Sequence, residues 1–335
     1  MNTDNHGFKR NLLKHETILL FVLVAEWIFF DIIGHNFGTY DNTCDILRHS
    51  CEIGLLALAM TPIILTGGID LSVASLLGLC AILFGKFWRD CDMPIPLAVA
   101  CTIGVGALAG GLNATLISWL RLPPLIVTLG TYSLFLGLAE AITHGVDTFT
   151  DFPGSFLFLG QERWLGIPAQ AFVFIIATIF FWLLVHRTTF GRSFRAIGFS
   201  PEGARYAGIP VGRRVAMVYV LAGVVSAIAA IIYTARLGQA KADAGTGYEL
   251  FAITAVVLGG TSIFGGVGSI PGTLLGVAAI AVLHSGIAHA LLPGEMAGML
   301  TGVLLILALA GSALPKMISG LRTRKSTPRL AKQIP

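Results

Sequence analysis

Apolar residues in this chain run in long blocks, separated by short polar or glycine- and proline-rich interruptions. An α-helix needs about 20 residues to cross a hydrocarbon core. Blocks of that order predict ten membrane-spanning helices over 17–34, 51–66, 70–87, 96–118, 123–143, 169–186, 214–235, 250–264, 271–290 and 296–313. The second and eighth are short for spans, and each runs into a glycine-rich break, near 66–72 and 259–272. Eight spans would remain if one short pair were re-entrant. The predicted fold class is all-α, a polytopic membrane protein with one transmembrane domain over 1–335.

Composition supports that class. The chain is 55% hydrophobic and 12% charged, with a mean hydropathy of +0.81, whereas charged residues make up about 25% of a soluble domain. With ten spans and the N-terminus inside, cytoplasmic segments hold 16 of the 22 Lys and Arg residues; Arg48, Lys86, Arg89, Arg163, Arg236 and Lys241 fall outside. Positive charge concentrates on the cytoplasmic side of membrane proteins, so both termini are expected there: a 1–16 segment, a 187–213 loop and a basic tail over 314–335. The net charge of +4 then reflects topology. No basic groove interleaved with aromatics points to nucleic acid. No small-residue cleavage site follows the first apolar block, so 17–34 reads as a retained span.

Cysteine and histidine add little. Cys80 and Cys101 fall in predicted spans, and Cys44, Cys51 and Cys91 at or beyond the outer edge. A Cys44–Cys51 bridge rests only on seven-residue spacing, which is weak evidence. His284 and His289 are five apart, a poor match to one helical face, and read as solvated rather than as metal ligands.

Three stretches carry candidate chemistry. Thr66-Gly67-Gly68-Ile69-Asp70-Leu71-Ser72 sets a carboxylate and a glycine pair in an apolar run. An acid at that depth is costly and marks a functional site by default, and broken helices are tolerated where they line a cavity or pack in protein. Asp70 either contacts solute or caps the next helix, since Asp accepts from free N–H groups at a helix start. Between His186 and Arg214 the hydrophobic pattern lapses. There Ser200-Pro201-Glu202 reads as a helix start, and Gly208 with Pro210 as its end. That short helix, bracketed by Arg195, Arg205, Arg213 and Arg214, is either a solvated surface or a docking element. Finally, 111–131 combines Asn113 with the Pro123-Pro124 pair, and 259–276 is dense in glycine, for helix packing, a hinge or a shaped passage.

The runs TGGIDLSVAS (66–75), GLNATLISWLRLPPLIVTLGT (111–131), GRSFRAIGFSPEGARYAGI (191–209) and LGGTSIFGGVGSIPGTLLG (258–276) together resemble the permease subunits of bacterial ribose-type ABC importers. That branch handles ribose, xylose, arabinose, galactose and autoinducer-2. The resemblance implies a multi-pass protein of the bacterial inner membrane, working with a cytosolic ATP-binding subunit, a periplasmic sugar-binding protein and a second permease copy or paralogue. The substrate would be a small neutral sugar, with no cofactor, catalytic residue or metal.

Under it, Gly67, Gly68, Asp70, Ser72, Asn113 and Thr128 belong to the translocation pathway. Arg195, Glu202, Gly203, Ala204, Gly208 and Ile209 belong to the ATPase coupling segment. Gly203 stands where that family usually has Ala, which should loosen a helix by about 1 kcal/mol. No G-x-x-x-x-G-K-[ST] phosphate loop occurs, so energy must come from another subunit. Against this stand an ion-coupled secondary transporter using Asp70 or Glu140, a passive channel, and a membrane enzyme, for which no metal motif or nucleophile–base set is present.

Overall fold

A computed structural model describes residues 4–146 and 148–324, with side chains over 15–146 and 148–310. Lys9, Arg10, Lys14 and the basic residues from Lys316 onward, on which the charge census leans, have side chains outside that range, and 325–335 lie outside the described residues. The long helices are α1 (Asp4–Ile33), α2 (Tyr40–Leu65), α3 (Ser72–Arg89), α4 (Ile95–Ser118), α5 (Pro124–Ile142), α7 (Ala169–Trp182), α10 (Val211–Leu237), α12 (Ile270–His289) and α13 (Glu295–Arg324). Shorter ones are α6 (Gly154–Gln161), α8 (Thr189–Phe199), α9 (Pro201–Tyr206) and α11 (Tyr248–Leu258). A small antiparallel hairpin pairs β1 (Arg163–Trp164) with β2 (Ile167–Pro168). Among the described residues, seven helices are long and apolar enough to cross a membrane: α2, α3, α4, α5, α10, α12, and α7 together with the π turn Leu183–Arg187 that prolongs it.

All ten predicted blocks overlap helices, but α1 begins at Asp4 rather than 17, α13 runs on to Arg324 rather than 313, and two further boundaries differ for local reasons. The second helix begins at Tyr40, because Thr39 caps it through the Asn42 N–H and its polar first turn finds partners, Tyr40 with Gly166 and Asp41 with Arg163, that hydropathy does not register. It therefore contains Cys44 and Cys51, both buried and free. The eighth ends at Leu258, six residues before the predicted end, because the Gly259-Gly260 pair lets the chain turn before the apolar Ile263 and Phe264. At 11 residues and 1.5 Å per residue, α11 is only about 16 Å long.

The helices divide into an inner and an outer set. Most of α2 and α3 is buried, and large parts of α10 and α12. By contrast α4 buries one stripe, Ala98, Thr102, Gly106, Gly110, Asn113 and Ile117, the three-to-four spacing of a helix with one packed face. That stripe meets α10: side chains at Gly106, Gly110 or Gly223 would run into the backbone opposite, so the two helices touch main chain to main chain. Leucines of α4 and α5 on the other faces are exposed, Leu108 and Leu129 among them.

The connections gather at two ends. At one, Tyr40 Oη donates to Gly166 O, Arg48 to Gln161 O, Arg163 pairs with Asp41 at 2.7 Å, Phe149 pairs with Ala240, and His35 N–H reaches His289 O. The Asp41 carboxylate raises the pKa of the Arg163 guanidinium. At the other, Ser269 donates to Glu16, His15 meets Leu258 O, and the breaks at 66–71 and 259–269 meet the α8–α9 segment.

Candidate functional site

The first break is held open by its own polar groups. After α2, Gly67 takes φ +83 and turns the chain. Asp70, 2% exposed, then accepts from Ser72 N–H at 2.9 Å and Ser72 Oγ at 2.6 Å, so in this structure its carboxylate caps α3. Ser72 Oγ in turn accepts from Asn113 Nδ2 of α4 at 2.8 Å, and Thr128 Oγ1 of α5 donates to Ile69 O at 3.2 Å. Asp70, Ser72, Asn113 and Thr128, picked from two separate stretches of sequence, thus converge on one break. Two buried polar atoms there have no partner, Asn113 Oδ1 and the Tyr219 hydroxyl of α10. That hydroxyl lies against Gly68, leaving no room for a side chain. Tyr219 was invisible to sequence reading because it sits in an ordinary apolar run.

The second break lies against the first. Gly266 N–H donates to Leu65 O at 2.9 Å, and Gly265 and Gly266 take φ +85 and +82 to make the approach. Over that bond sits Gly198 of α8: a Cβ there would strike Leu65 O and the Gly266 backbone nitrogen. The two breaks and the α8–α9 segment therefore meet in one junction, backbone against backbone at Gly198, with the Phe199 ring beside Gly266.

The α8–α9 segment matches its sequence reading closely. Ser200 Oγ accepts from Gly203 N–H at 3.0 Å, α9 starts at Pro201, and Gly208 at φ +79 ends it, with Ile209 N–H returning to Ala204 O. Ala204 is buried with Ile197 and Val211, pinning the pair of helices onto α10, while Glu202 and Gly203 are exposed. A Cβ at Gly203 would crowd Ser200 Oγ at 3.1 Å, so glycine here spares the cap as well as loosening the helix.

Arg195 turns inward, away from Glu202. It donates to Val185 O at 3.2 Å and Gly268 O at 3.4 Å, tying α8 to the π turn and to the second break. Burial lowers its pKa, yet guanidinium keeps its charge, so carbonyl oxygens carry the compensation. His186 Nε2 accepts Ile270 N–H at 3.1 Å beside it; this contact crosses 84 residues and left no local signal in the sequence.

A cavity of about 240 Å³ lies between the first break, the turn joining α4 to α5, and α8–α9. Thr66, Gly67, Gly68 and Tyr219 line it on one side, Ile197, Pro201 and Arg205 on another, and Arg121 and Pro124 on a third. Glu140, the second acid of the ion-coupled reading, is exposed. No grouping of three metal-ligating side chains occurs among the described residues.

Residues 42–309 match the family model described as branched-chain amino acid transport system / permease component. The chain belongs to this permease family. The permease is 38% identical over 309 residues to the autoinducer 2 import system permease protein LsrD of Salmonella paratyphi A, covering 88% of this chain and 90% of the relative. It is equally similar to the LsrD of Escherichia coli strain K12, covering 91% of that protein. A solved inward-facing metal-chelate type ABC transporter shares the fold, with a TM-score of 0.51 at 18% identity over 89% of this chain and 99% of that one. The permease is a transport component of the inner membrane and not itself an enzyme; the ion-coupled alternative is not favoured.

Proposed function

We propose that this permease moves a small neutral, hydroxyl-rich solute, a sugar or a sugar-like signal of the autoinducer-2 kind, into the cytoplasm as part of an ABC importer. A separate ATP-binding subunit supplies the energy, a periplasmic binding protein delivers the solute, and a second permease copy or paralogue completes the membrane unit. The relatives' import role and the scarcity of charge in the spans support the solute class.

One observation carries the mechanism: Gly198 packs on the Leu65–Gly266 hydrogen bond, so α8–α9 touches both breaks without intervening side chains. Docking of the ATP-binding subunit on exposed Glu202 and the Gly208 turn would move α8, and α8 would move the breaks beside the 240 Å³ cavity. Arg195 positions this lever from inside, and Ala204 and Ile209 hold it to α10. Asp70, Ser72, Asn113 and Thr128, all enclosed and none of them lining that cavity, then hold the pathway wall from behind.

The topology proposed is ten crossings with both termini cytoplasmic in one domain over 1–335. The junction lies on the cytoplasmic side and the β1–β2 hairpin outside. The alternation of connections between two ends supports it, α1, α11 and α13 adding to the seven long spans. Binding of the ATP-binding subunit and solute uptake in proteoliposomes test the coupling. Glu202→Lys or Gly208→Val should abolish binding and cut uptake at least tenfold while the permease still inserts. Full assembly and uptake in both variants would refute it.

A further inference from the structure

A second and larger cavity, about 380 Å³, lies at the opposite end, between the start of α2, the first turn of α11 and the end of α12. Cavities of this size hold small ligands, which are bound by mostly apolar walls carrying a few fixed polar groups. Ile53, Phe251, Val277 and Ile280 supply the walls. The polar groups are held in place. Asn42, 5% exposed, donates to Phe37 O at 2.6 Å and accepts from Ser285 Oγ at 2.8 Å.

Three imidazoles line the same space. His49 Nδ1 lies 2.8 Å from Asp45 O and His289 Nδ1 2.9 Å from Ser285 O. A carbonyl only accepts, so Nδ1 carries the hydrogen and the neutral ring keeps a lone pair on Nε2. His284 stands edge-on to Phe251, its Nε2 3.5 Å from Thr301 Oγ1, whose own hydrogen goes to Ala297 O. These rings leave acceptors for hydroxyl donors. No Lys or Arg lines the cavity, and its one carboxylate, Asp45, faces Arg48 at 3.5 Å. No unpaired charge there calls for an ionic ligand, and an acyl chain would cover the imidazoles without hydrogen bonds, at a cost.

We propose that this outer cavity binds the transported solute itself, a small neutral hydroxylated molecule, before it reaches the junction at the other end. The proposal rests on the function given above. Hydroxyls would donate to the histidines, and the apolar side of the molecule would pack on Phe251.

The test uses the complete transporter in proteoliposomes, with uptake measured for autoinducer-2 and a panel of neutral pentoses and hexoses. Equilibrium dialysis of the solutes taken up is then run against the permease–ATPase complex without its binding protein. Ala281→Trp, which fills the cavity, and His284→Phe, which keeps the ring and removes its nitrogens, should each lower binding and uptake at least fivefold, with assembly and ATP hydrolysis retained. If Ala281→Trp does not assemble, His284→Phe decides. No saturable binding by the unmodified complex, unchanged binding and uptake in the assembled variants, or a phospholipid found in the cavity by native mass spectrometry would each overturn the proposal while leaving the function intact. An unmodified transporter that takes up none of these solutes would overturn the function, and the proposal with it.

Discussion

Asp70, in the break before α3, and Glu52, within α2, are both enclosed carboxylates, yet they are satisfied in opposite ways. Asp70 accepts two hydrogen bonds from Ser72, two residues away. Glu52, with a side chain 0% exposed, depends on Arg236 of α10, whose Nε lies 2.7 Å from Glu52 Oε1 across 184 residues, and its Oε2 has no partner. A locally satisfied acid moves with its own helix end, whereas a distant ion pair fastens two helices together. The first suits a break that shifts and the second a frame that does not.

Six substitutions would break or sharpen that contrast. Arg236→Met should have the largest effect, because an uncompensated buried charge costs about 3–5 kcal/mol. Thermal unfolding of the detergent-purified protein should show the loss, and Glu52→Leu combined with Arg236→Met should restore most of it. If the single variant is as stable as wild type, the frame assignment fails. Gly198→Ala comes next. Overpacking a tight contact costs about 1–3 kcal/mol, and at this junction uptake should fall at least tenfold while the ATP-binding subunit still co-purifies; normal uptake would show that the contact is not the lever.

Asp70→Ala removes a cap, a loss of about 1 kcal/mol. Asp70→Asn keeps an acceptor and should lie within a few tenths of wild type. Equal unfolding temperatures for the two would deny Asp70 its capping role. Thr128→Val leaves Ile69 O without its side-chain donor, and a hydrogen bond of this kind contributes about 1 kcal/mol. Hydrogen exchange at 66–72 should rise in that variant, and an unchanged rate would remove α5 from support of the break.

How legible these features were follows from how far apart their parts lie. The α9 cap at Ser200 and its end at Gly208 are written within nine residues, and both were readable. So were the two breaks, because glycine pairs interrupt apolar runs on the spot. The grouping of Asp70, Ser72, Asn113 and Thr128 came from a family resemblance, since no spacing rule links positions on three helices. The contacts that join one break to the other, the inward turn of Arg195 and the Glu52–Arg236 pair depend on packing between distant segments, and the sequence held no local trace of them. His284 and His289 are both part-exposed, and their five-residue spacing held no trace of how α11 and α2 close around them to form the outer cavity. Burial of Cys44 and Cys51 in α2 likewise reflects where that helix begins, which capping decides and hydropathy does not.

Gly198 has one more consequence. A side chain at an interface acts as a spring, absorbing small displacements by changing rotamer, and between Gly198 and the Leu65–Gly266 bond there is none. Under the coupling proposed above, a shift of α8 would press on Leu65 and Gly266 together, and the two breaks would move as a pair.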